Sequence, residues 1–222
     1  APLEYSYKTI RGKMKTVAGQ SFQTRYTYHG ILPSFPNVAD LSNTGSFNEN
    51  TLNNYLNELA TENFRGDGDT YWLGKDLGKM ACALPLAEQV NNDTVSATLD
   101  NRLRTTLEDW FVASPGENKN LFYYDDNWGT LIGYPDSYNS ADQLNDHHFH
   151  YAYFVHAAAQ LALRDQTWAD SSQWGGMVNK IIKDFANWER NDQQFPFLRS
   201  FDPYEGHSWA SGHAQFADGN NQ

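Results

Sequence analysis

Two short segments of this chain bring carboxylates, imidazoles and aromatic rings together: residues 145–151 (NDHHFHY) and residues 200–212 (SFDPYEGHSWASG). Every histidine except His29, six of the seven, lies at or after His147. A protein core rarely contains this mixture, because each buried carboxylate or imidazole must find a partner or bear a desolvation cost. A carbohydrate site needs it, since rings stack on the apolar faces of sugars while carboxylates and imidazoles bind hydroxyls or transfer protons. The two segments therefore indicate carbohydrate chemistry.

Asp146 is the candidate for acid catalysis, and the residues alone allow two interpretations of it. It precedes a predicted helix, where aspartate is a favoured N-cap because its oxygen accepts a hydrogen bond from an unpaired backbone N–H. The alternative is a general acid that protonates a leaving oxygen. The neighbouring histidines and Phe149 would give it partly apolar surroundings, which raise the pKa of a carboxyl as a proton donor at neutral pH requires.

His148 and His150 have an alternate spacing that metal ligands also use, so a metal-dependent hydrolase centred on them is a further alternative. The sequence has neither a nearby cysteine nor a His-Glu-x-x-His pattern, which accompany such ligands in many zinc sites. We therefore expect no metal, with one or two of these imidazoles bound to substrate hydroxyls or to Asp146. The one cysteine, Cys82, lies in an apolar run and is expected to be a buried, inert thiol.

The second segment is interpreted either as a structured loop or as the wall of a cleft. In a structured loop, Asp202, Glu205 and His207 would satisfy backbone donors. The rings of Tyr204 and Trp209 favour the cleft, because they offer flat stacking surface.

Composition narrows the class of partner. The chain has 222 residues, of which 40% are hydrophobic, and a formal net charge of -11. Phosphate binding relies on clustered lysine and arginine, so nucleic acid is not an expected partner, and an anionic membrane surface is disfavoured. No apolar run approaches the ~18 residues of a membrane span. A neutral partner fits better.

Periodicity predicts a mainly α chain with a β-rich beginning. Residues 22–28 alternate at period two, as a strand does. About five helices are predicted further on from apolar stripes of helical period, at 52–59, 72–89, 99–111, 149–161 and 174–188. Pro85 is expected to disturb the second of them. Aromatic linkers at 121–129 and 195–212 are expected to gather at one end of the helices and form a cleft.

Residues 69–78, 145–151 and 201–212, together with the final Gly-Asn-Asn-Gln, resemble the endo-β-1,3-glucanases of glycoside hydrolase family 81 over nearly the whole chain. The resemblance implies inverting hydrolysis of internal β-1,3-glucosidic bonds without a metal or organic cofactor. It implies that Asp146 is the general acid. The expected substrate-binding residues are Asp69, Tyr71, His150, Asp202, Tyr204, Glu205, His207 and Trp209.

The resemblance also implies a β-sandwich domain, a small connecting domain and a helical (α/α)6 toroid. We expect residues 1–40 to be a β-rich segment linked to an upstream domain, and residues 41–222 to be the first part of the toroid. In the family a glutamate-bearing helix that supplies the catalytic base follows the Gly-Asn-Asn-Gln stretch, so the base is expected just beyond Gln222.

The expected partners are β-1,3-glucan and the remainder of the same polypeptide, outside the cell or at the cell wall. A non-catalytic β-glucan-binding module that uses the same aromatic cleft is the alternative from another class. A chain that stops part-way through a toroid exposes apolar stripes. We therefore expect the isolated chain to be inactive and to bind hydrophobic dyes.

Overall fold

The computed structural model describes residues 2–9, 12–21, 48–64, 68–202 and 207–210. Helices dominate this part of the chain, and the mainly α prediction is confirmed. The helices are α1 (Glu49–Thr61), α2 (Trp72–Gln89), α3 (Asp93–Trp110), α4 (Ser140–Gln143), α5 (His147–Arg164) and α6 (Gly175–Ala186). The strands form three antiparallel pairs: β1 (Pro2–Thr9) with β2 (Gly12–Val17), β3 (Leu121–Asp125) with β4 (Thr130–Tyr134), and β5 (Phe201–Asp202) with β6 (His207–Ser208).

The predicted helices are found where the apolar stripes place them. Helix α2 has the predicted bounds and continues through Pro85, so the expected disturbance does not end the helix. Helix α3 begins at an Asn92 cap, whose side-chain oxygen accepts a hydrogen bond from the Val95 N–H at 3.2 Å. The strand predicted at residues 22–28 lies outside the described residues, and the domain boundary near residue 40 stays a prediction.

Helices α2, α3 and α5 enclose the main core. Leu77 and Leu84 of α2, Leu103 of α3 and Phe154 of α5 are all completely buried. Two glycines one turn apart, Gly74 and Gly78, let α2 approach α5 closely. A Cβ at either position would lie 2.9 or 2.8 Å from ring atoms of Tyr153. This close packing fixes the start of α5, where Asp146 lies, relative to the start of α2.

The aromatic linker after α3 is a hairpin rather than a loop. β3 and β4 pair from Leu121 opposite Tyr134 to Asp125 opposite Thr130. Phe122 points into a cluster of rings with Trp110, Phe154 and Tyr151, at centroid distances of 5.1–5.5 Å. Burial of these rings holds the hairpin against the helical core.

Some apolar groups have little cover within the described residues. Ile181 of α6 is buried, but Trp188, just beyond that helix, is 61% exposed. Tyr5 and Tyr7 of β1 are 68% and 59% exposed. The expected dye binding of the isolated chain stays a prediction. The expected burial of Cys82 is wrong, because its side chain lies on the solvent side of α2.

Among the described helices, none combines the length and apolar character needed to cross a membrane.

Candidate active site around Asp146

Asp146 stands between α4 and α5 in a left-handed backbone conformation, with φ of 58° and ψ of 9°. Such positive φ values are uncommon outside glycine, although aspartate and asparagine adopt them most readily. Its backbone N–H donates to the carbonyl of Ala210 at 2.9 Å, and its own carbonyl accepts from the N–H groups of Phe149 and His150. The carboxyl makes no capping hydrogen bond to the described start of α5. Capping alone therefore does not account for this aspartate.

The residue lines a small pocket at the meeting of the α4–α5 turn, the end of α6 and the β5–β6 hairpin. The lining residues are Leu144, Asp146, His147, His148, Phe185, Arg199, Ser200 and Ser208. The two segments singled out in the sequence, 145–151 and 200–212, thus contribute to one pocket.

Burial sets the protonation states at this pocket. It raises the pKa of Asp146 above its ordinary value, and the charge of His147 partly opposes the shift. Burial also lowers the pKa of His148 to about 4, so this imidazole is neutral near pH 7. Its Nε2 is buried and has no hydrogen-bond partner among the described residues. A carboxyl whose pKa burial raises thus lies in the same pocket as a neutral imidazole that can bind a hydroxyl.

A buried network lies behind this acid and was not predicted from the sequence. Nδ1 of His147, the first residue of α5, lies 2.7 Å from Oδ2 of Asp184 on α6. The other oxygen, Oδ1, accepts hydrogen bonds from Thr130 Oγ1 at 2.9 Å and from the Leu131 N–H at 2.8 Å. Arg199 Nη2 donates to the same oxygen at 3.2 Å.

Arg199 ties three segments together. Its Nε donates to the backbone carbonyl of Asp184 at 2.6 Å, and its Nη2 donates to the carbonyl of Gly129 at 2.9 Å. Asp184 is completely buried. Burial alone would raise its pKa, but the charges of His147 and Arg199 and the hydrogen bonds from His147 and Leu131 lower it. The carboxylate is therefore the anion at the centre of this network.

His150 is almost completely buried, whereas a side chain that contacts substrate must be accessible from the cleft. Its ring is 1% exposed, and its Nδ1 lies 2.8 Å from Thr70 Oγ1. Burial lowers its pKa to about 4. Its ring centroid is 5.4 Å from that of Tyr71. In this structure His150 supports Thr70 and Tyr71 from behind, and a direct contact with substrate stays a prediction.

Asp69 and Tyr71 lie at the start of α2. Asp69 Oδ1 accepts from the N–H groups of Tyr71 and Trp72 at 3.0 and 2.8 Å, so this carboxylate caps the helix. The Tyr71 hydroxyl accepts from Lys75 Nζ at 3.2 Å. Tyr138, which the sequence did not single out, packs edge-on against Tyr71 at 5.1 Å and is 57% exposed. Trp72 and Tyr138 add exposed ring surface to this cluster.

The β5–β6 hairpin brings the second segment to Asp146. Asp202 pairs with His207 across the hairpin, and the Trp209 N–H donates to the carbonyl of Ser200 at 2.9 Å. Trp209 is partly buried beside Ala210, the backbone partner of Asp146. Tyr204 and Glu205 lie outside the described residues. The roles expected for these residues stay predictions.

Within the described ranges, no three histidine, cysteine, aspartate or glutamate side chains converge in a way that could hold a metal ion.

Comparison with known proteins shows which protein family this chain matches. Residues 46–222 match the glycosyl hydrolase family 81 C-terminal domain. A glucan endo-1,3-beta-D-glucosidase from Acetivibrio thermocellus is 60% identical over 100% of this chain and 28% of that protein. One of the same description from Thermobifida fusca is 46% identical over 99% of this chain and 28% of that protein.

A solved family 81 glycoside hydrolase from Clostridium thermocellum, determined as a glutamate-to-alanine mutant, superposes with a TM-score of 0.84 and 58% identity. It matches 100% of this chain and 30% of that chain. The superposition confirms the expected fold class, in which these helices are part of a toroid. The chain spans less than a third of the length of each of these three relatives.

Proposed function

The chain belongs to glycoside hydrolase family 81, and from this premise we propose that it carries the proton-donating side of an active site that hydrolyses internal β-1,3-glucosidic bonds. The observation that carries the proposal is the state of Asp146. Its carboxyl is half-buried, has a raised pKa, makes no capping bond to α5 and lines a pocket beside a neutral imidazole. Those are the properties of a general acid.

In the proposed reaction, protonated Asp146 donates its proton to the glycosidic oxygen as the bond to the leaving sugar breaks. A water molecule activated by a second carboxylate attacks the opposite face of the sugar, with inversion. The two carboxyls of an inverting enzyme lie ~6.5–9.5 Å apart. We propose that the second carboxylate is supplied from outside residues 1–222, so that the active site is completed by further polypeptide. The first product formed would then be the α-anomer.

The proposed substrate is a neutral β-1,3-glucan outside the cell or in the cell wall. Support comes from exposed rings at the start of α2, where Trp72 is 40% exposed and Tyr138, which packs on Tyr71, is 57% exposed. Such rings stack on sugar faces. We propose that Asp202, Tyr204, Glu205, His207 and Trp209 add hydroxyl contacts and stacking from the β5–β6 side.

The test is Asp146→Asn in the full-length protein. The amide keeps the shape of the side chain but cannot act as the acid, so kcat on laminarin should fall by roughly 10²–10⁴-fold while glucan binding changes little. Asp93→Asn, the same change at the exposed start of α3, is the matched control and should leave kcat unchanged. Near-normal turnover of Asp146→Asn would show that the acid lies elsewhere.

A binding module without hydrolysis would behave differently. The full-length protein would then bind β-1,3-glucan but release no reducing ends, and Asp146→Asn would have nothing to slow.

A further inference from the structure

The two ring nitrogens of His147 face acceptors. Nδ1 lies 2.7 Å from the Asp184 carboxylate, and Nε2 lies 3.3 Å from the backbone carbonyl of Ser140. Carboxylate and carbonyl oxygens accept hydrogen bonds and do not donate them. Both contacts are hydrogen bonds only when both ring nitrogens carry protons, that is, when His147 is an imidazolium, although the residue is only 2% exposed.

The alternative, a protonated Asp184 that donates to a neutral imidazole, conflicts with the other contacts of this carboxyl. Its Oδ1 already accepts from the Leu131 N–H, the Thr130 hydroxyl and the Arg199 guanidinium. Three donors on one oxygen favour the ionised form, and the pKa of Asp184 is lowered despite its burial.

From this geometry we propose that His147 is a buried imidazolium that positions the Asp146 turn and stabilises the carboxylate left on Asp146 after it has given its proton to the leaving oxygen. The proposal rests on the function proposed above for Asp146. His147 and Arg199 carry two positive charges against one negative charge on Asp184, so the network presents a net charge of +1 behind the acid. A cation so placed favours the anionic product of proton transfer.

The other titratable groups around His147 do not supply this charge. On α5, His148 and His150 have pKa values lowered to about 4 by burial and are neutral near pH 7. The Tyr151 ring lies 4.5 Å from that of His147, and burial raises its pKa well above its ordinary value, so its hydroxyl is neutral. The negative charge of Asp136, after β4, raises the pKa values of His150 and Tyr151. Within the described network, the charged groups are Asp184 on α6, which is hydrogen-bonded to His147, and Arg199, which is hydrogen-bonded to Asp184.

His147→Gln in the full-length protein tests the role of the charge. The amide can still donate a hydrogen bond to Asp184 but carries no charge. Without the cation, Asp146 keeps its proton to higher pH and donates it less readily. The alkaline limb of the pH profile of kcat/KM should therefore move to higher pH, and kcat at the optimum should fall about tenfold, equivalent to about 1.4 kcal/mol.

His156→Gln is the matched control, because it makes the same change on the same helix at a histidine whose Nε2 has no partner among the described residues. It should leave the alkaline limb in place. An alkaline limb that is equally unmoved in His147→Gln would overturn the proposal, since loss of a purely structural side chain would lower activity without displacing the profile.

Neutron diffraction from crystals of the unmodified full-length protein at neutral pH gives a second readout. Deuterium on both ring nitrogens of His147 is the expected result, and deuterium on one nitrogen alone would overturn the proposal. This measurement needs neither a folded variant nor activity. Absence of glucan hydrolysis would contradict the proposed function, whereas a singly protonated ring would contradict the present inference.

Discussion

Removal of the Asp184 carboxylate should lower the free energy of unfolding far more than removal of an exposed carboxylate does. Asp184 is completely buried and accepts hydrogen bonds from His147, Arg199, Thr130 and Leu131 at 2.7–3.2 Å. In Asp184→Ala, two cations lose their counterion and two neutral donors lose their acceptor. Breaking a buried ion pair by removing one partner costs about 3–5 kcal/mol.

This loss should be visible in thermal unfolding of the full-length protein followed by far-UV circular dichroism. One kcal/mol lowers Tm by roughly 2–4 °C in a domain of 150–250 residues and by less in a longer cooperative unit, so a decrease of several degrees, at most roughly 20 °C, is expected. Glu62→Ala is the matched control. Glu62 pairs with Lys79 at 2.7 Å, but both side chains are about half exposed, and such a surface pair contributes at most about 1 kcal/mol.

The pH dependence of the difference gives an independent check. Because the pKa of Asp184 is lower in the folded protein than in the unfolded chain, its stabilisation is present above the unfolded value of about 3.9 and is lost as pH falls through the folded value. The gap between wild type and Asp184→Ala should be full at neutral pH and should narrow only in acid. A gap below about 1 kcal/mol at neutral pH would refute the assignment of Asp184 as the anion of a buried network.

Two further substitutions probe the packing and the cleft. Gly133→Ala would put a Cβ 2.4 Å from Cγ2 of Thr70, the hydrogen-bond partner of His150, and would displace it. Overpacking of this kind should lower the free energy of unfolding by about 1–3 kcal/mol, measured by chemical denaturation. Unchanged stability would show that the β3–β4 hairpin moves freely. Trp209→Ala should weaken binding of β-1,3-gluco-oligosaccharides in calorimetry through lost stacking, with a smaller effect on kcat than Asp146→Asn, and equal affinity would exclude the ring from the cleft.

The sequence predicts the helices well because their burial follows one period. In α3, Leu99, Leu103 and Leu107 are all completely buried, as a stripe with a spacing of four residues requires. In α5 the buried face includes Tyr151 and Phe154, whereas Phe149 and Tyr153, which lie four residues apart within the stripe predicted at 149–161, are partly exposed. That helix is apolar on several sides, so periodicity does not select one face.

The β3–β4 hairpin was missed although its turn carries a signal. Asp125 Oδ1 accepts from the N–H groups of Asn127 and Trp128 at 2.9 and 3.2 Å, and Gly129 has φ of 59°. An aspartate two residues before an asparagine and four before a glycine is a turn pattern with a known mechanism. The rings on both sides of the turn are typical of a binding loop as well as of paired strands, so composition alone does not separate the two.

The sequence predicts that Asp184 needs a partner, but it does not predict which residues form the network behind Asp146. Asp184 is a single carboxylate between Ile181 and Phe185 on the apolar face of α6, and a charge in such a place requires a partner. Its partner His147 lies 37 residues earlier in the chain. Nothing in a local pattern connects the two, because the contact arises from packing of α6 on α5.

The backbone conformation of Asp146 explains how an aspartate can begin a helix and remain available for chemistry. Asn48, the cap of α1, has the usual extended conformation with φ of -138°, and its Oδ1 accepts from the Thr51 N–H at 3.0 Å. Asp146 has φ of 58° and makes no such bond. The left-handed conformation costs an ordinary residue roughly 1–2 kcal/mol, and the backbone bond to Ala210 and the anchored ring of His147 offset it. The carboxyl is left near the positive end of α5, where the helix dipole also favours the anion formed by proton transfer.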